Sequence, residues 1–283
     1  MHKLRVASCQ FPVSGDIAKN AEAIRRYLRR AKQAQAHLLH TSEAALSGYA
    51  GSEFFSFRRY DWDALRCETQ RLRELARDLR LWLILGSAHF LDKITRPTNC
   101  LYIIDPAGRI ADRYDKCMCT VEDQRVFSAG NRLVTLPIRG VQVGFAICYD
   151  ICYPQLYAAY RERGARLVLH SFFNARHKGP SCLDVLNVRQ VPTRCADNLM
   201  WAVANNSSQR YSNWGSFVAR PDATIAQQLP VNRAGMLVHD FPDGLSEGGW
   251  IHNRMPMKLA KNEAFYFGTP SRHPRQLDPR AEP

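Results

Sequence analysis

The sequence VQVGFAICYD, residues 141–150, is an apolar run that ends in a cysteine and two polar residues. Its apolar part predicts a buried strand over 141–147. Pro154 then suits the first turn of a helix, and Gly164 suits the left-handed end of that helix. Another apolar run follows directly. The stretch therefore predicts a strand, helix, strand unit with Cys148 on the connection after the first strand.

Helices and strands alternate on both sides of this unit. Before it, apolar residues at steps of three and four predict a helix capped by Ser14 or Asp16, and a second helix over 61–80. After it, a helix is predicted over 183–198. Short apolar runs predict strands at 4–9, 37–40, 82–86, 99–105, 110–114, 166–170 and 200–204, and further strands up to Asp240. We therefore expect one α/β domain over residues 1–241.

The two ends of the chain differ from its body. From about Pro242 onward, proline, glycine and scattered charges replace the periodic pattern. We expect residues 242–283 to form a C-terminal tail that is extended or wraps around a partner subunit. The first residues run directly into strand-like sequence without a long apolar segment, so no secretory signal is expected.

The composition is typical of a globular cytoplasmic protein. Of the 283 residues, 46% are apolar and 23% are charged, which allows a sizeable core. No uninterrupted apolar run reaches the roughly 18 residues of a spanning helix. The nine cysteines are an odd number without the dense spacing of a small disulfide-rich domain. We therefore expect a cytoplasmic protein with free thiols.

Neither a metal nor a nucleic acid is indicated by the pattern of charged and thiol residues. The close pairs Cys117/Cys119 and Cys148/Cys152 lack the joined C-x2-C spacing of structural zinc sites, so no metal and no cofactor are expected. The formal net charge is +13, but the basic residues are scattered and carry no interleaved aromatic residues. We expect neither a nucleic-acid partner nor a membrane partner.

Three reactive side chains follow predicted strands, and they are Glu43, Lys116 and Cys148. Strand ends in α/β folds are places where reactive groups collect, because the sheet fixes the backbone while the loop exposes the side chain. Taken singly, each has an ordinary explanation, either a solvated loop residue or a small buried thiol. Their sequence surroundings favour a shared catalytic role.

Those surroundings are the segments SEAALSGY at 42–49, RYDK at 113–116 and GFAICYD at 144–150. In this order and at these separations they resemble the three signature segments of the nitrilase superfamily, the carbon-nitrogen hydrolases. The pair Tyr149-Asp150 after the cysteine resembles the pair found in the amidase and N-carbamoylase branches of this superfamily. The resemblance implies a four-layer α-β-β-α sandwich with two central mixed sheets.

The resemblance also implies an enzyme with a Glu-Lys-Cys catalytic triad. Cys148 would attack the substrate carbon, while Glu43 would take the thiol proton, pass it to the departing ammonia or amine, and later activate water. Lys116 and the backbone N–H of Tyr149 would stabilise the oxyanion. The acid would then leave from a thioester acyl-enzyme. Two departures from the family pattern, Ser42 for Pro and Met118 for His, affect no reacting group.

Members of the family carry a second carboxylate that holds the lysine, a fixed distance before a glycine. Counting back seven residues from Gly130 reaches Asp123, and the adjacent Glu122 is the alternative. Tyr49, Phe172 and Asn174 are further candidates for contact with the substrate. Three arginines are candidates for binding a substrate carboxylate: Arg176, Arg189 and Arg194.

The expected reaction is hydrolysis of a small amide or an N-carbamoyl compound. One alternative is a nitrilase that acts on a small nitrile, and another is a non-catalytic binding protein with the same fold. A Cys-His hydrolase is a third, and its candidate histidines are His40, His89, His170 and His177. The presence of all three reactive residues argues against a non-catalytic protein.

We also expect a homodimer or a larger even-numbered homo-oligomer, as is common in the family. The helix that begins at Pro154 has more apolar residues than one inner face of a helix requires. These residues are Leu156, Tyr157, Ala158, Ala159 and Tyr160.

Overall fold

The computed structural model describes residues 4–175, 178–241 and 273–282. Its strands are β1 (Leu4–Gln10), β2 (Leu38–His40), β3 (Trp82–His89), β4 (Thr98–Ile104), β5 (Ile110–Asp115), β6 (Thr135–Ile138), β7 (Val141–Ile147), β8 (Leu167–Ser171), β9 (Trp201–Asn205), β10 (Phe217–Ala219), β11 (Ile225–Gln228) and β12 (Gly235–Phe241). Its helices are α1 (Ile17–Gln33), α2 (Trp62–Leu79), α3 (Pro154–Glu162), α4 (Leu183–Asn198) and α5 (Pro274–Leu277).

The strands form two six-stranded mixed sheets with similar layouts. The first has the order β12-β1-β2-β3-β4-β5 and the second the order β11-β10-β9-β8-β7-β6. In each sheet three central strands are parallel, β1 to β3 in the first and β7 to β9 in the second. The remaining pairs are antiparallel. The loops of Glu43 and Cys148 follow β2 and β7, which have parallel neighbours, whereas Lys116 follows the antiparallel edge strand β5.

Apolar residues divide the molecule into four layers. Alternate residues of a strand face opposite sides of its sheet, so Val143 and Phe145 of β7 pack in the cluster between the two sheets while Ala146 packs on the outside. Helices α1 and α2 cover the outer face of the first sheet, and α3 and α4 cover the second. The predicted α-β-β-α sandwich is confirmed.

The predicted helix boundaries agree with the structure to within about two residues, the usual uncertainty of a helix end. Asp16 caps α1 by accepting a hydrogen bond from the N–H of Lys19, and Asp61 caps α2 in the same way through Ala64. Pro154 begins α3. Gly164 follows that helix with a φ of +80°, the left-handed conformation predicted for it.

The apolar surface predicted on α3 is not available to a partner subunit. All five side chains from Leu156 to Tyr160 are fully buried within this chain, because α3 packs on the sheet and against α4. The helix α3 buries more than the one inner face that the sequence pattern predicted. The predicted even-numbered homo-oligomer therefore rests on the family resemblance alone.

Most of the predicted tail, 242–272 and Pro283, lies outside the described residues. The part that the structure describes, 273–282, packs onto the same chain through Arg113 in β5. This fully buried guanidinium donates to the carbonyl oxygens of Arg275, Gln276 and Asp278 at 2.5–3.1 Å. The segment thus contacts the strand that leads to Lys116.

Within the described ranges no helix has the length and apolarity needed to span a membrane. Within the same ranges His, Cys, Asp and Glu side chains form no group of three or more that could hold a metal ion.

A polar seam joins the two sheets beside the site. His40 at the end of β2 contacts the Ser171 hydroxyl of β8 through Nε2 at 2.8 Å, and this hydroxyl donates to the Thr41 carbonyl at 2.8 Å. Nε2 therefore carries the ring proton. Asn205 of β9 donates to the hydroxyl of Ser8 at 2.6 Å. These bonds fix the relative position of the loops that follow β2 and β8.

We predict that His40 makes the protein less stable in mild acid. Burial lowers the pKa of His40 from 6.5 to about 3, so between these values only the unfolded chain binds the proton. Stability is therefore lost as pH falls below 6.5, by about 2 kcal/mol between pH 7 and pH 5 for one such group. The variant His40→Gln lacks this contribution. Between pH 7 and pH 5 its free energy of unfolding should therefore fall by about 2 kcal/mol less than that of the unchanged protein. Urea unfolding of both proteins at the two pH values measures the difference, and equal losses would contradict the prediction.

Candidate active site

Glu43 is buried beneath a loop that passes close over the first sheet. At Gly86 in β3 an added Cβ would lie 1.9 Å from the carbonyl oxygen of Ser42, so only glycine permits this approach. The loop is anchored there by the N–H of Leu46, which donates to the Gly86 carbonyl at 2.9 Å. Glu43 is fully buried as a result.

The two oxygens of the Glu43 carboxylate differ in their hydrogen bonds. Lys116 Nζ donates to Oε1 at 2.9 Å, and Asn99 Nδ2 donates to the same oxygen at 2.8 Å. Among the described residues, the buried Oε2 has no hydrogen-bond partner. A buried carboxylate oxygen with unused lone pairs can accept a proton or a hydrogen bond from a reacting group.

Lys116 is a buried ammonium placed between two carboxylates. Its Nζ donates to Asp123 Oδ2 at 2.8 Å as well as to Glu43. The segment that follows Asp123 packs closely against the residue before Lys116. Gly130 allows this contact, since an added Cβ there would lie 2.2 Å from the Asp115 carbonyl oxygen. Burial acts to lower the pKa of Lys116, but Asp123 and Glu43 hold it well above its ordinary value. The side chain is therefore charged at neutral pH.

Of the two candidates for the second carboxylate, Asp123 contacts Lys116 and Glu122 does not. Besides Lys116, Asp123 accepts hydrogen bonds from the Tyr49 hydroxyl at 2.5 Å and the Thr120 N–H at 3.0 Å. Burial acts to raise the pKa of Asp123, but Lys116, Tyr49 and Thr120 hold it below its ordinary value. Glu122 is exposed and lies at the wall of the neighbouring cavity.

Cys148 lies on a strained turn between β7 and α3. It begins a short 3-10 helix, Cys148–Cys152, and its φ of +46° lies in the left-handed region that favours glycine. Its thiol is half-buried, and the side-chain amide of Asn174 donates to Sγ at 3.7 Å. A non-glycine residue kept in this conformation must be held by its surroundings.

Asp150 holds the turn of Cys148 against the segment of Lys116. One carboxylate oxygen accepts from the Met118 N–H at 2.8 Å, and the other accepts from the Ile147 N–H and the Tyr114 hydroxyl, both at 2.7 Å. Burial raises the pKa of Asp150 to about 6, although these three donors act to lower it. Asp150 is therefore a positioning residue that joins the ends of β5 and β7.

The His170 ring supports the same turn by contacting the backbone of Cys148. The ring nitrogen Nε2 lies 3.2 Å from the Cys148 carbonyl oxygen, so Nε2 must carry the proton, and Nδ1 accepts from the Tyr157 hydroxyl at 2.9 Å. Burial lowers the pKa of His170 well below its ordinary value, which keeps the ring neutral. With Nε2 acting as a donor to the backbone, His170 is not arranged as the base of a Cys-His pair.

The other histidines of that alternative are also occupied or not described. His40 belongs to the polar seam, and His89 contacts the Tyr102 hydroxyl and the Arg275 carbonyl oxygen. His177 lies outside the described residues.

A cavity of about 890 Å³ opens over the thiol of Cys148. Its wall is formed mainly by aromatic, aliphatic and amide side chains, among them Tyr49, Tyr149, Phe173, Asn174, Leu183 and Asn187. A cavity of this size and chemistry suits a small, largely uncharged organic molecule.

Most of the predicted contact residues lie at this cavity, and one does not. Tyr49, Tyr149 and Asn174 line it. Phe172 does not line it, because its ring is buried on the far side, stacked on His170 with ring centroids 4.1 Å apart. The next residue, Phe173, lines the cavity instead.

The arginines predicted to bind a substrate carboxylate receive no support from the described part of the chain. Arg189 is exposed and Arg194 pairs with Asp197 at 3.6 Å, and neither lines the cavity. Arg176 lies outside the described residues.

Sequence reasoning did not assign a role to Asn99 or Asn187, and both contact a site residue. Asn99 lies within a strand and Asn187 within a helix, so neither carries the strand-end signal that identified the other residues.

Comparison with known proteins identifies a family to which this sequence is similar. A model of the carbon-nitrogen hydrolase family matches residues 5–247. The omega-amidase NIT2 of Homo sapiens is 25% identical over 280 residues, covering 94% of this chain and 98% of the human protein. The nitrilase and fragile histidine triad fusion protein of Caenorhabditis elegans is 25% identical over 243 residues, and this match spans 53% of the fusion protein.

The fold is also found among solved structures. An amidase from Nesterenkonia sp. superposes with a TM-score of 0.75 at 24% identity, over 90% of this chain and 94% of the amidase. A variant of that amidase has been solved in complex with butyramide.

We predict that Asp150→Asn weakens both stability and turnover. An amide nitrogen cannot accept, so at least one of the three donors at Asp150 loses its partner, at a cost of about 1–3 kcal/mol. Turnover should fall because the segments of Cys148 and Lys116 lose their tether. Urea unfolding and steady-state kinetics measure both effects. Asp63→Asn, an exposed change on α2, should alter stability by less than about 0.5 kcal/mol. An Asp150 variant as stable as this control would contradict the assignment.

Proposed function

The chain belongs to the carbon-nitrogen hydrolase family, the nitrilase superfamily, and on this premise we propose that it hydrolyses a small amide or N-carbamoyl compound through a thioester on Cys148. The observation that carries the proposal is the buried Lys116 ammonium between Glu43 and Asp123, beside a thiol on a strained turn. A buried carboxylate oxygen without a partner among the described residues, a buried cation and a thiol at the cavity wall are the groups that acyl transfer to sulfur requires.

In the first step the Cys148 sulfur forms a bond with the substrate carbonyl carbon. A thiol is a weak nucleophile until its proton is removed, and Glu43 is the base that removes it. The free Oε2 is the atom suited to this task, because Lys116 and Asn99 already occupy Oε1. The thiol proton thus moves to Glu43 as the C–S bond forms.

The negative charge on the former carbonyl oxygen is stabilised by Lys116 and by the backbone N–H of Tyr149. Lys116 remains charged because its two carboxylates favour the ammonium form. Tyr149 lies in the first turn of the 3-10 helix, where N–H groups have no partner within the helix. Fixed donors in a buried site cost no reorganisation as the charge develops.

The tetrahedral intermediate collapses by breaking the C–N bond. Glu43 returns the proton to the departing nitrogen, so ammonia or an amine leaves and the thioester remains on Cys148. Water then enters, Glu43 takes one of its protons, and the hydroxyl group adds to the thioester carbon. Breaking the C–S bond releases the carboxylic acid and restores the thiol with the proton held by Glu43.

An amide suits this site better than a nitrile. An amide brings a planar NH2 group and an oxygen that must both be accommodated, whereas a nitrile is linear and fits a narrow slot. The cavity of about 890 Å³ is wide, and Tyr149-Asp150 after the nucleophile is similar to the amidase and N-carbamoylase branches.

We predict that Cys148, Glu43 and Lys116 act as one catalytic unit. Cys148→Ala and Glu43→Gln should each lower kcat by at least about 10³-fold, and the double variant should be no worse than Cys148→Ala, because groups that act together are not additive. Iodoacetamide should inactivate the enzyme by labelling Cys148.

Cys152→Ala is the matched control for the labelling experiment, since Cys152 lies at the same cavity. It should leave the position of the label unchanged. Wild-type turnover in Cys148→Ala, or a label on Cys152, would remove Cys148 from the proposed role.

We predict that butyramide is hydrolysed with a kcat/KM at least about tenfold above that of butyronitrile, one order of magnitude in rate. Ammonia release measures both substrates, and a matched N-carbamoyl amine extends the series. A tenfold preference for the nitrile would overturn the assignment to amides and would leave the catalytic unit unaffected.

A further inference from the structure

Asn174 and Asn187 form a chain of hydrogen bonds that ends at the proposed nucleophile. Asn187 in α4 donates from Nδ2 to Asn174 Oδ1 at 2.6 Å, and Asn174 donates from its own Nδ2 to Cys148 Sγ at 3.7 Å. Both asparagines are buried, with 3% and 5% of their surfaces exposed. The first bond is short and the second has the length of a contact to sulfur.

The backbone of Asn174 is held independently of its side chain. Its N–H donates to Asn206 Oδ1 at 2.8 Å, and its carbonyl oxygen accepts from the Asn213 N–H at 2.9 Å. The residue therefore has a fixed position at the end of β8. What remains to be set is the orientation of its side-chain amide.

Asn187 sets this orientation. A side-chain amide presents an acceptor on one side and a donor on the other, and a half-turn exchanges them. Because Asn187 offers an N–H to Asn174, the oxygen of Asn174 must face Asn187. The NH2 of Asn174 then faces Cys148, and it is a donor to the sulfur.

We propose that Asn187 is a positioning residue that turns the Asn174 amide so that its NH2 group stabilises the thiolate of Cys148. The proposal rests on the assignment of Cys148 as the nucleophile. A donor beside a thiolate forms a charge-assisted hydrogen bond, which is stronger than a bond to the neutral thiol. Asn187 acts through Asn174 and does not itself contact the sulfur.

The pH dependence of Cys148 alkylation tests the proposal without relying on turnover. Iodoacetamide reacts with the thiolate, so the rate at which the Cys148 peptide is labelled reports the apparent pKa of this thiol. Following that peptide by mass spectrometry separates it from the other cysteines. Asn187→Ala should raise the apparent pKa by about one unit, a tenfold loss of thiolate at neutral pH.

Asn187→Asp gives a second variant of nearly the same shape. A carboxylate accepts but does not donate, so the Asn174 amide must turn its NH2 toward position 187 and its oxygen toward the sulfur. The apparent pKa should then rise by more than in Asn187→Ala. This variant keeps the test valid if the alanine variant fails to fold.

A double variant separates the relay from a direct effect. Asn174→Ala should raise the apparent pKa as Asn187→Ala does, and Asn174→Ala/Asn187→Ala should be no different from Asn174→Ala alone, because Asn187 acts through Asn174. Additive shifts would overturn the relay.

Asn198 provides matched controls on the same helix. It is equally buried, its side chain donates to the Arg194 carbonyl oxygen, and it lies about 16 Å along α4 from position 187. Asn198→Ala and Asn198→Asp should leave the alkylation profile unchanged. Unchanged profiles in both Asn187 variants would overturn the proposal. A shifted profile in a protein that hydrolyses no amide would instead refute the proposed function and leave the relay intact.

Discussion

Burying the ammonium of Lys116 requires negative charge beside it, and the site is arranged around this requirement. Desolvation costs several kcal/mol for such an ion, and a lone buried lysine would lose its proton. Two carboxylates, Glu43 and Asp123, offset this cost by direct ion pairs at 2.9 and 2.8 Å. One oxygen of Glu43 accepts from Lys116, and the other has no hydrogen-bond partner among the described residues.

Several distant segments must meet for this ion cluster to form. Gly86 admits the loop of Glu43, Gly130 admits the segment that carries Asp123, and Asp150 joins the end of β5 to the turn of Cys148. The polar seam at His40 then holds the first sheet to the second. The cluster, the strained turn and the cavity are thus consequences of one packing arrangement of two similar sheets.

Local periodicity predicted most of the elements, and the resemblance to the family implied the four layers and brought Glu43, Lys116 and Cys148 together as candidates. They failed where the direction of one side chain or a long-range contact decides. Phe172 and Phe173 follow β8, and the Phe172 ring stacks on His170 while Phe173 lines the cavity. Asn187 meets Asn174 only after α4 has packed on the sheet.

We propose that this protein hydrolyses amides through a covalent acyl-enzyme, and partitioning with hydroxylamine tests this mechanism most directly. Butyramide and N-methylbutyramide share an acyl group and differ in the leaving amine. If both form the same thioester, hydroxylamine and water compete for one intermediate, and the ratio of butyrohydroxamic acid to butyric acid is identical for the two substrates. A ratio that depends on the leaving amine, or butyric acid formed without any hydroxamic acid, would contradict the account.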